Sequence, residues 1–475
     1  MSNSSKVIDM YADVVVLTPG DPKRSVFTYL VPETIVAANN SRKKDEVEFR
    51  IHQSQLSVGF YVLVPYGKKM CRGILINLHH NKPEFETREI DSLLYHSPVI
   101  TSSLIETSKW MASYYHEPLR NCIETILVFG KVVRIPKDKK LAFTKLPPVK
   151  LLEEQVAAFE KLIASKNKHN VFLLHGVTGS GKTEIYLRFI EEILNNDKQV
   201  IYLVPEIALT PQTIQRVEER FPGKTNVLNS QISDGERYRA FVESINGTKP
   251  IMIGSRSALF APFPNLGAII IDEEHDYSYK QDNSPHYHAV TTAVAMSEAL
   301  GIPLVLGSAT PRIEDYNRAI KGSWQLLSLT KRATMAALPA IHVVDMREEL
   351  KKQNYSTLSD DLMDSLTQRL SKGEQSLLFL NKRGLASSLV CRACGWSAEC
   401  PHCAVALSIH NNFYGVKQNM MLCHHCDYQV PIYIMCQRCN SLYIKPLGSG
   451  TERIEQDVLK LLPKARVLRM DRDTT

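Results

Sequence analysis

Long hydrophobic runs are missing from this sequence of 475 residues. No stretch of 18 consecutive apolar residues occurs in it, so it lacks the pattern of a membrane-spanning helix. The first residues, MSNSSKVIDMYADVVVL, also lack the basic segment and apolar core of a secretory signal peptide. We therefore expect a cytoplasmic protein. In that compartment the ten cysteines would be free thiols or metal ligands rather than disulfides.

A large excess of charge of one sign is missing as well. The formal net charge is +7, which is compatible with nucleic-acid binding but does not specify it. Hydrophobic residues make up 44% of the chain and charged residues 23%, as in ordinary globular proteins. This length and composition allow about three domains, each with its own core.

The strongest local motif is a glycine-rich turn between a predicted buried strand, 171–174, and the helix-forming segment TEIYLRFIEEIL. The turn fits G-x-x-x-x-G-K-[ST], and its backbone N–H groups would cradle phosphates. Lys182 would reach the outer phosphates and Thr183 would ligate Mg²⁺. A chance Gly/Ser loop is the alternative, which the strand and helix around the turn disfavour. The predicted ATP-binding residues of the turn are Gly176, Val177, Thr178, Gly179, Ser180, Gly181, Lys182 and Thr183.

An acidic pair follows another apolar run, 266–271. A buried strand that delivers Asp272 and Glu273 is typical of the second half of a P-loop NTPase. Asp272 would hold Mg²⁺, and Glu273 would orient and deprotonate the attacking water. The alternative is a helix N-cap followed by a carboxylate in the first turn. The predicted catalytic residues are Lys182, Asp272 and Glu273.

Two further strand ends carry polar residues. Glu206, Thr210 and Gln212 follow the strand 199–204 and are candidates for contact with a polymer, because strand ends of a parallel sheet face the ligand side. The turn 307–311, GSATP, follows another strand and is either a sensor of phosphate state or a plain tight turn.

Strands alternating with helices predict an α/β fold with a mostly parallel sheet for the P-loop lobe, and a second such pattern whose clearest strand is 377–380. We expect the polar insert 37–54 to be an exposed loop and 127–134 to form a short strand. The predicted segments are a small β-rich domain (1–96), a winged-helix-like domain (97–135), a Lys/Pro-rich linker (136–150), the P-loop lobe (151–330), the start of a second lobe (331–387), a zinc-binding insertion (388–445) and the continuation of the second lobe (446–475).

Eight of the ten cysteines form four CxxC pairs in one window. Each pair can hold a metal through two thiolates, and two pairs complete a tetrahedral site, so the window predicts two Zn²⁺ ions. The spacing of 19 residues between Cys403 and Cys423 is that of a zinc ribbon. Nested, sequential and crossed pairing all remain open from spacing, and iron–sulfur ligation is a minor alternative. The pairs are Cys391/Cys394, Cys400/Cys403, Cys423/Cys426 and Cys436/Cys439.

Together these motifs resemble the primosomal replication-restart helicases of helicase superfamily 2. The resemblance covers nearly the whole chain. It is carried by LVPEIALTPQ (203–212), GSRSALFAPF (254–263), DEEHDYSYKQ (272–281), LGSATP (306–311), FLNKRG (379–384), the eight cysteines and GSGTERIEQDV (448–458). Thr28, Asn229, Val290 and Thr291 depart from the usual residues of that family.

The resemblance implies an ATP-dependent 3′-to-5′ DNA helicase with a RecA-like lobe and a partial second lobe. Such a helicase recognises stalled or abandoned forks, and it promotes primosome assembly and reloading of the replicative helicase. Its implied cofactors are ATP, Mg²⁺ and two Zn²⁺. Its implied partners are fork and single-stranded DNA, single-stranded DNA-binding protein, other primosome proteins and the replicative helicase.

The resemblance also assigns roles to residues. Gln155 falls where many helicases read adenine, and Phe27 and Gly67 fall where a pocket binds the 3′ end of a nascent strand. It implies nested zinc sites, with Cys391, Cys394, Cys436 and Cys439 in one and Cys400, Cys403, Cys423 and Cys426 in the other. The implied DNA-coupling loop contains Tyr277, Tyr279, Lys280 and Gln281.

The chain stops at Thr475, inside the predicted second lobe, before any motif that supplies an arginine to the γ-phosphate. Such an arginine contributes on the order of 10³-fold or more in related NTPases. We therefore expect this chain alone to bind zinc and fork DNA, to hydrolyse ATP poorly and not to unwind DNA. The alternative to a motor is a non-enzymatic fork-binding scaffold that recruits primosome partners.

Overall fold

The computed structural model of the chain forms two compact units, Met1–Ala337 and Leu338–Thr475. It describes residues 9–17, 25–37, 49–127, 147–229, 231–334, 339–354, 356–380, 388–410, 420–423, 425–447 and 451–470. Most of the predicted linker (136–146), most of the predicted strand 127–134 (128–134) and the motif residues 381–384 and 448–450 lie outside these ranges. None of the described helices is long and apolar enough to cross a membrane.

A seven-stranded sheet opens the first unit. Its strands are β1 (Met10–Val16), β2 (Val26–Val31), β3 (Thr34–Ala37), β4 (Phe49–His52), β5 (Tyr61–Tyr66), β6 (Lys69–His79) and β7 (Ser92–Leu93). They lie in the order β2-β1-β6-β5-β7-β3-β4, and every pair except β3 with β7 is antiparallel. This confirms the β-rich domain, with Val14, Val62 and Leu75 in its core.

The polar insert 37–54 is only partly a loop, which corrects our expectation. Residues 49–52 form β4, which pairs with β3, and Ile51 is buried in the core of the sheet. The alternation of polar and apolar side chains in FRIH lets one face pack inward while the other stays in water. The most polar part of the insert, 38–48, lies outside the described residues.

Two helices, α1 (Ser102–Tyr114) and α2 (Leu119–Ile126), follow the sheet. Thr101 caps α1, since its Oγ1 accepts the Leu104 N–H at 3.3 Å. Buried Leu104, Met111 and Ile123 join a hydrophobic core that continues into the P-loop lobe. The helix pair therefore packs the β-rich domain and the lobe into one unit.

The P-loop lobe has a second seven-stranded sheet flanked by helices. Its elements are α3 (Glu153–Ala164), β8 (Asn170–Gly176), α4 (Lys182–Leu194), β9 (Gln199–Leu203), α5 (Pro211–Arg220), β10 (Thr225–Leu228), α6 (Asp234–Ile245), β11 (Ile251–Gly254), β12 (Leu266–Ile271), α7 (Ala289–Leu300), β13 (Pro303–Ser308), α8 (Ile313–Ile320) and β14 (Gln325–Leu329). The strand order is β10-β11-β9-β12-β13-β8-β14. Every neighbouring pair is parallel, which confirms the predicted α/β architecture.

Continuous apolar runs make these strands, because both faces of a parallel sheet are covered by helices. Residues 172–174 of β8 and 269–271 of β12 are fully buried. Their carboxyl ends lie at the same edge of the sheet, where ligands bind in open α/β sheets. That edge carries both the glycine-rich turn and the acidic pair.

The second unit consists of short elements around two small cores. Its elements are α9 (Met346–Lys351), α10 (Asp360–Ser371), β15 (Ser388–Cys391), β16 (Ser408–His410), β17 (Met420–Leu422), β18 (Gln429–Pro431), β19 (Ile444–Leu447) and α11 (Thr451–Leu461). β15 pairs with β19, and β16, β17 and β18 form a three-stranded sheet; all these pairs are antiparallel.

The strand predicted at 377–380 is absent from the described part of this unit, which is a second correction. Residues 374–380 have no regular secondary structure. Their side chains still alternate as in a strand: Leu377 and Phe379 are exposed, whereas Leu378 and Leu380 pack with α10 and α11. A strand is defined by hydrogen bonds to a neighbour, and among the described residues this segment has no partner strand.

Candidate nucleotide site and zinc centres

The glycine-rich turn joins β8 to α4, as predicted. Gly179 and Gly181 have φ angles of +80° and +83°, a left-handed conformation that favours glycine. Gly181 is also the residue that precedes the first turn of α4, so the N–H groups at this helix end point to the turn. Lys182 is 8% exposed, and its Nζ donates a hydrogen bond to the Gly176 carbonyl at 3.0 Å.

Gln155 lies against the turn, although it is distant in sequence. Its Nε2 donates to the Ser180 carbonyl at 2.7 Å, and its Oε1 accepts the Leu152 N–H at 2.8 Å. A Cβ on Gly181 would lie 2.4 Å from Gln155 Nε2, so only glycine permits this approach. A cavity of about 310 Å³ adjoins this contact and is lined by Leu151, Leu152, Glu153, Glu154, Gln155, Ser180, Leu329 and Lys331.

The acidic pair lies at the end of β12, beside the glycine-rich turn. Asp272 donates its N–H to the Leu203 carbonyl at 2.9 Å, and its Oδ1 accepts the Glu273 N–H at 3.1 Å. Burial and the Glu273 carboxylate raise the pKa of Asp272 to about 6, while the Lys182 ammonium opposes that rise. Lys182 and Asp272 therefore share one electrostatic environment. The Asp272 carboxylate offers an oxygen ligand of the kind that Mg²⁺ prefers, and the Thr183 hydroxyl at the start of α4 is a second oxygen that could serve.

The residues after the acidic pair connect it to the GSATP turn. His275 Nδ1 lies 2.8 Å from Ser308 Oγ, and His275 Nε2 lies 3.5 Å from Thr310 Oγ1. Glu274 is fully buried, and its Oε1 accepts the Arg312 N–H at 3.0 Å. The turn 307–311 is thus hydrogen-bonded to the acidic motif, which is more than a plain tight turn requires.

The predicted DNA-coupling loop contains a short 3-10 helix, Tyr277–Tyr279. Tyr277 is 94% exposed, as a residue that stacks on a base must be. Tyr279 is buried and cannot contact DNA from this position. Its hydroxyl instead donates to the Asp272 carbonyl at 2.7 Å, which connects the loop directly to the acidic pair.

The remaining residues of the loop bond within unit 1. Lys280 is exposed, its Nζ donates to the His286 carbonyl, and it lies 5.7 Å from the centre of the Tyr115 ring. Gln281 is half-buried, and its Nε2 donates to the Pro285 carbonyl at 3.2 Å. Both side chains are near the surface beside Tyr277.

The connection between α1 and α2 contacts the segment after this loop. Glu117 accepts the Ser284 hydroxyl at 2.6 Å on Oε2, and its Oε1 lies 2.9 Å from His286 Nδ1. The Tyr115 hydroxyl accepts the His288 N–H at 3.1 Å. The N-terminal helix pair therefore holds the segment that follows the DNA-coupling loop.

In the β-rich domain, the two predicted pocket residues are near neighbours. The Phe27 ring packs edge-on against Tyr66, with ring centroids 5.1 Å apart, and Tyr66 precedes Gly67. Gly67 has a φ of +60° in the turn between β5 and β6, and its carbonyl accepts a hydrogen bond from Arg88 at 2.7 Å. Thr28 points to the opposite face and donates to Asp13 Oδ1 at 2.7 Å.

The three candidates for polymer contact lie after β9, as expected. Glu206, Thr210 and Gln212 are exposed. Thr210 has a structural role as well, because its Oγ1 accepts the Thr213 N–H at 3.3 Å and caps α5.

The eight clustered cysteines form two four-thiol groups with the nested pairing. In each group the four Sγ atoms all lie within 4.8 Å of one another. Cys391 and Cys439 are 3.6 Å apart, as are Cys394 and Cys436. A tetrahedral Zn–S₄ site requires S–S separations of about 3.8 Å, whereas a disulfide requires about 2 Å, so the thiols fit zinc. The groups are Cys391, Cys394, Cys436 and Cys439, and Cys400, Cys403, Cys423 and Cys426.

All four CxxC pairs adopt the same backbone turn, which we call the knuckle. The residue after each pair has a positive φ, and its N–H donates to the carbonyl of the first cysteine at 2.9 to 3.0 Å. These residues are Gly395, Ala404, Asp427 and Asn440. In the last knuckle the N–H groups of Arg438 and Cys439 donate to Cys436 Sγ, the first thiol of the pair, at 3.3 and 3.5 Å. Burial raises the pKa of Cys436, but hydrogen bonds from the N–H groups of Cys439 and Arg438 and from the thiols of Cys394 and Cys439 together lower it to about 7.

Several contacts around the nucleotide site could not be predicted from the sequence. The Tyr186 hydroxyl donates to Asp272 Oδ1 at 3.0 Å, across 86 residues of sequence. Ala333 donates its N–H to the Gly179 carbonyl at 2.8 Å, which places the segment after β14 against the glycine-rich turn. A tyrosine at an apolar position of a helix is typical of a core residue. The periodicity of a single sequence does not indicate that it contacts a distant carboxylate.

The fold and this site define a P-loop NTPase lobe of the helicase class. Residues 152–319 match the family model of the DEAD/DEAH box helicase. Residues 13–128 match that of the 3'DNA-binding domain (3'BD) of PriA, and residues 400–431 match the PriA DNA helicase Cys-rich region (CRR) domain. The chain belongs to the family of replication restart proteins named PriA.

Similar proteins carry that name in several bacteria. The chain is 47% identical over 349 residues to the one from Bacillus subtilis (strain 168), covering 73% of this chain and 43% of that protein. It is 46% identical over 326 residues to the one from Haemophilus influenzae, and the match covers 68% of this chain and 43% of that protein. It is 34% identical over 450 residues to the one from Rickettsia felis, and the match covers 94% of this chain and 65% of that protein. The chain thus spans less than half the length of the first two relatives.

Among solved structures, the chain is similar to that of RecG bound to three-way DNA junction. The identity is 20%, the TM-score is 0.33, and the match covers 57% of this chain and 34% of that chain. A likeness this low supports no statement about the fold.

Proposed function

We propose that this chain binds ATP with Mg²⁺ and works as an ATP-dependent 3′-to-5′ DNA helicase of replication restart. In that function it recognises stalled or abandoned forks and promotes primosome assembly and reloading of the replicative helicase. The observation that carries the proposal is the direct bond between the DNA-coupling loop and the acidic pair. Tyr279 donates to the Asp272 carbonyl at 2.7 Å, so DNA contact at the loop can alter the catalytic carboxylates.

The residues of the glycine-rich turn bind and orient the phosphates. Backbone N–H groups of residues 176–183 cradle them, and Lys182 neutralises the outer charge after leaving the Gly176 carbonyl. Thr183 and Asp272 would hold Mg²⁺, which when bound draws charge from the β- and γ-phosphate oxygens. Glu273 orients the attacking water and takes its proton. Gln155 and the cavity beside it receive the adenine.

DNA would meet the chain at two places in unit 1. Tyr277 offers an exposed ring for stacking on a base, with Lys280 and Gln281 beside it. Phe27 and the turn at Gly67 would receive the 3′ end of a nascent strand, near Arg88. Backbone phosphate contacts dominate such binding, so we expect the affinity to fall steeply with salt.

Protein partners follow from the same family relation. We propose that the chain acts with single-stranded DNA-binding protein, other primosome proteins and the replicative helicase. The zinc-bearing segment offers exposed apolar side chains, Ile434 and Leu442, for such contacts. Each contact is testable by pull-down with the purified partner.

The test is hydrolysis and strand displacement by the wild type and Lys182→Ala, with fork DNA and with partial duplexes of either polarity. The motor proposal expects hydrolysis to rise with fork DNA and to vanish in Lys182→Ala, and expects displacement only of strands entered 3′ to 5′. Turnover of the wild type at ordinary helicase rates would show that our expectation of poor hydrolysis and no unwinding is wrong. Lys321→Ala removes an exposed lysine of the same lobe and is the matched control. If Lys182→Ala still loads the replicative helicase as well as the wild type, the scaffold alternative is correct.

A further inference from the structure

Tyr186 is a buried side chain outside the recognised motifs, and it hydrogen-bonds to the side chain of Asp272. It lies on α4, three residues after Thr183, and is fully buried. Its hydroxyl donates to Asp272 Oδ1 at 3.0 Å. Helix α4 therefore carries two connections to the nucleotide site: the glycine-rich turn at its start and Tyr186 one turn later.

Both hydrogen bonds to the Asp272 carboxylate fall on the same oxygen. Oδ1 accepts the Tyr186 hydroxyl at 3.0 Å and the Glu273 N–H at 3.1 Å. Among the described residues, Oδ2 has no hydrogen-bond partner. A carboxylate held in this way presents one fixed oxygen and keeps the other available as a ligand for a cation.

Gly307 leaves the space that the Tyr186 hydroxyl occupies, because it has no side chain. A Cβ at residue 307 would lie 1.6 Å from the Tyr186 hydroxyl and 3.2 Å from Asp272 Oδ1. No side chain fits there while the hydrogen bond exists, because real Cβ contacts are much longer than this. The strand that carries the GSATP turn thus leaves space for the tyrosine hydroxyl.

A neighbouring tyrosine shows that burial alone does not produce the contact. Tyr202 is also buried, and its ring centroid lies 5.8 Å from that of Tyr186. Within the described residues it makes no hydrogen bond to Asp272. The two tyrosines occupy one core, but only Tyr186 reaches the carboxylate.

We propose that Tyr186 is a positioning residue for the divalent cation: its hydroxyl fixes Asp272 Oδ1 so that Oδ2 remains the metal ligand. This inference rests on the proposed nucleotide site. A hydrogen bond to a charged group contributes about 1.5 to 3 kcal/mol, and each 1.4 kcal/mol corresponds to a factor of ten. Loss of the hydroxyl is therefore expected to weaken cation binding roughly tenfold or more.

The test compares Tyr186→Phe with Tyr202→Phe, since each removes one buried hydroxyl from the same core. A fluorescent ATP analogue is titrated at increasing Mg²⁺ and again in EDTA, and binding of Mn²⁺ with the analogue is followed by electron paramagnetic resonance. We expect Tyr186→Phe to need about tenfold more Mg²⁺ or Mn²⁺ and to bind the analogue in EDTA as the wild type does. Tyr202→Phe is expected to match the wild type in both.

Two results would overturn the inference. One is an unchanged cation requirement in Tyr186→Phe, and the other is an equal loss of nucleotide binding with and without Mg²⁺, which a purely structural role predicts. Gly307→Ala provides a second way to displace the hydroxyl and is expected to raise the cation requirement as well. If the wild type binds no nucleotide at all, the proposed function fails instead, so the two failures are distinguishable.

Discussion

Two tyrosine hydroxyls from different elements donate hydrogen bonds to Asp272. Tyr186 on α4 donates to its carboxylate at 3.0 Å, and Tyr279 in the predicted DNA-coupling loop donates to its main-chain carbonyl at 2.7 Å. A movement of either tyrosine changes the position of the residue that would ligate the cation. If Asp272 has the proposed catalytic role, these two bonds connect it both to the helix of the nucleotide site and to the loop proposed to contact DNA.

The bond from Tyr279 predicts a specific loss of coupling. Tyr279→Phe keeps the buried ring but removes the donor to Asp272, so we expect DNA to stimulate hydrolysis roughly threefold to tenfold less, with unchanged DNA affinity. Hydrolysis rates with and without single-stranded DNA, together with fluorescence anisotropy of labelled DNA, measure both quantities. If DNA stimulates hydrolysis by Tyr279→Phe as strongly as hydrolysis by the wild type, the loop acts on the nucleotide site through other contacts.

Substitution of Tyr277 should lower the affinity for DNA, the quantity that Tyr279→Phe leaves unchanged. Its side chain is 94% exposed and makes no contribution to the core, so Tyr277→Ala is expected to leave thermal stability unchanged. Loss of a ring that stacks on a base costs about 1 to 3 kcal/mol, and DNA affinity should fall accordingly. The same anisotropy titration tests this. Equal affinity for DNA in Tyr277→Ala and wild type would remove Tyr277 from the DNA-binding residues.

At the scale of elements, each of the four knuckles requires a positive φ at the residue after the CxxC pair, and only the first knuckle has a glycine there. Gly395 has a φ of +75° without a side chain, whereas Ala404 has a φ of +53° with one. A left-handed conformation costs a residue with a Cβ about 1 kcal/mol relative to glycine. The second knuckle is therefore more strained than the first.

This difference predicts opposite effects for two exchanges. Ala404→Gly should stabilise the zinc-loaded protein by up to about 1 kcal/mol, and Gly395→Ala should destabilise it by a similar amount. The cost of Gly395→Ala comes from the backbone alone, because a Cβ there would meet only Arg347 Cδ, at 3.7 Å. Thermal unfolding of the zinc-loaded variants measures both. Shifts of the same sign would contradict this explanation.

The α1–α2 connection is expected to hold the segment after the DNA-coupling loop through Glu117. Glu117→Ala removes one hydrogen-bond partner of Ser284 and the partner of the His286 ring, so amide hydrogen exchange of residues 281–288 should become faster. Glu106→Ala is the matched control, because Glu106 is exposed and pairs with Lys109 on the helix surface. Identical exchange in both variants would mean that other contacts of the helix pair, such as those of Tyr115 with His288 and Asn121 with Ser284, hold the segment without Glu117.

The sequence was sufficient for the elements whose chemistry is local. The glycine-rich turn, the acidic pair and the CxxC pairs each lie within a few residues, so their spacing alone carries the chemistry. Contacts between distant residues were not predictable: Tyr186 and Asp272 are 86 residues apart, and Glu117 and His286 are 169 apart. The pairing of the cysteines followed from the family resemblance and not from their spacing.

Two errors have the same physical origin. The polar composition of residues 37–54 hid β4, because an edge strand with one solvated face needs few apolar residues. The apolar composition of residues 377–380 predicted a strand that has no partner in the described part of the chain. In both cases the presence or absence of a neighbouring strand determines whether the segment is a strand. The sequence of the segment itself does not show whether such a neighbour exists.

At the scale of the whole molecule, the two units have separate cores. The hydrophobic clusters of residues 9–337 contain none of the clustered cysteines, whereas the core of the zinc-bearing segment is built from Leu389, Leu407 and Met421 around Cys400 and Cys423. So small an apolar core needs the metal for its stability.

Removal of zinc should therefore affect one unit only. Chelation is expected to increase amide exchange in residues 388–447 and to leave nucleotide affinity and the unfolding of the P-loop lobe unchanged. Hydrogen exchange, with a parallel titration of the fluorescent ATP analogue, separates the two units. A loss of nucleotide binding on chelation would show that the zinc segment supports the P-loop lobe.

The central claim is that the glycine-rich turn and the acidic pair form one site for a Mg²⁺-nucleotide. Equilibrium titration of the wild type, Lys182→Ala and Asp272→Asn with the ATP analogue, with and without Mg²⁺, tests it most directly. We predict one nucleotide per chain, strong loss of affinity in Lys182→Ala, and loss of only the Mg²⁺-dependent part in Asp272→Asn. Nucleotide binding that is equally strong in all three proteins would contradict the claim.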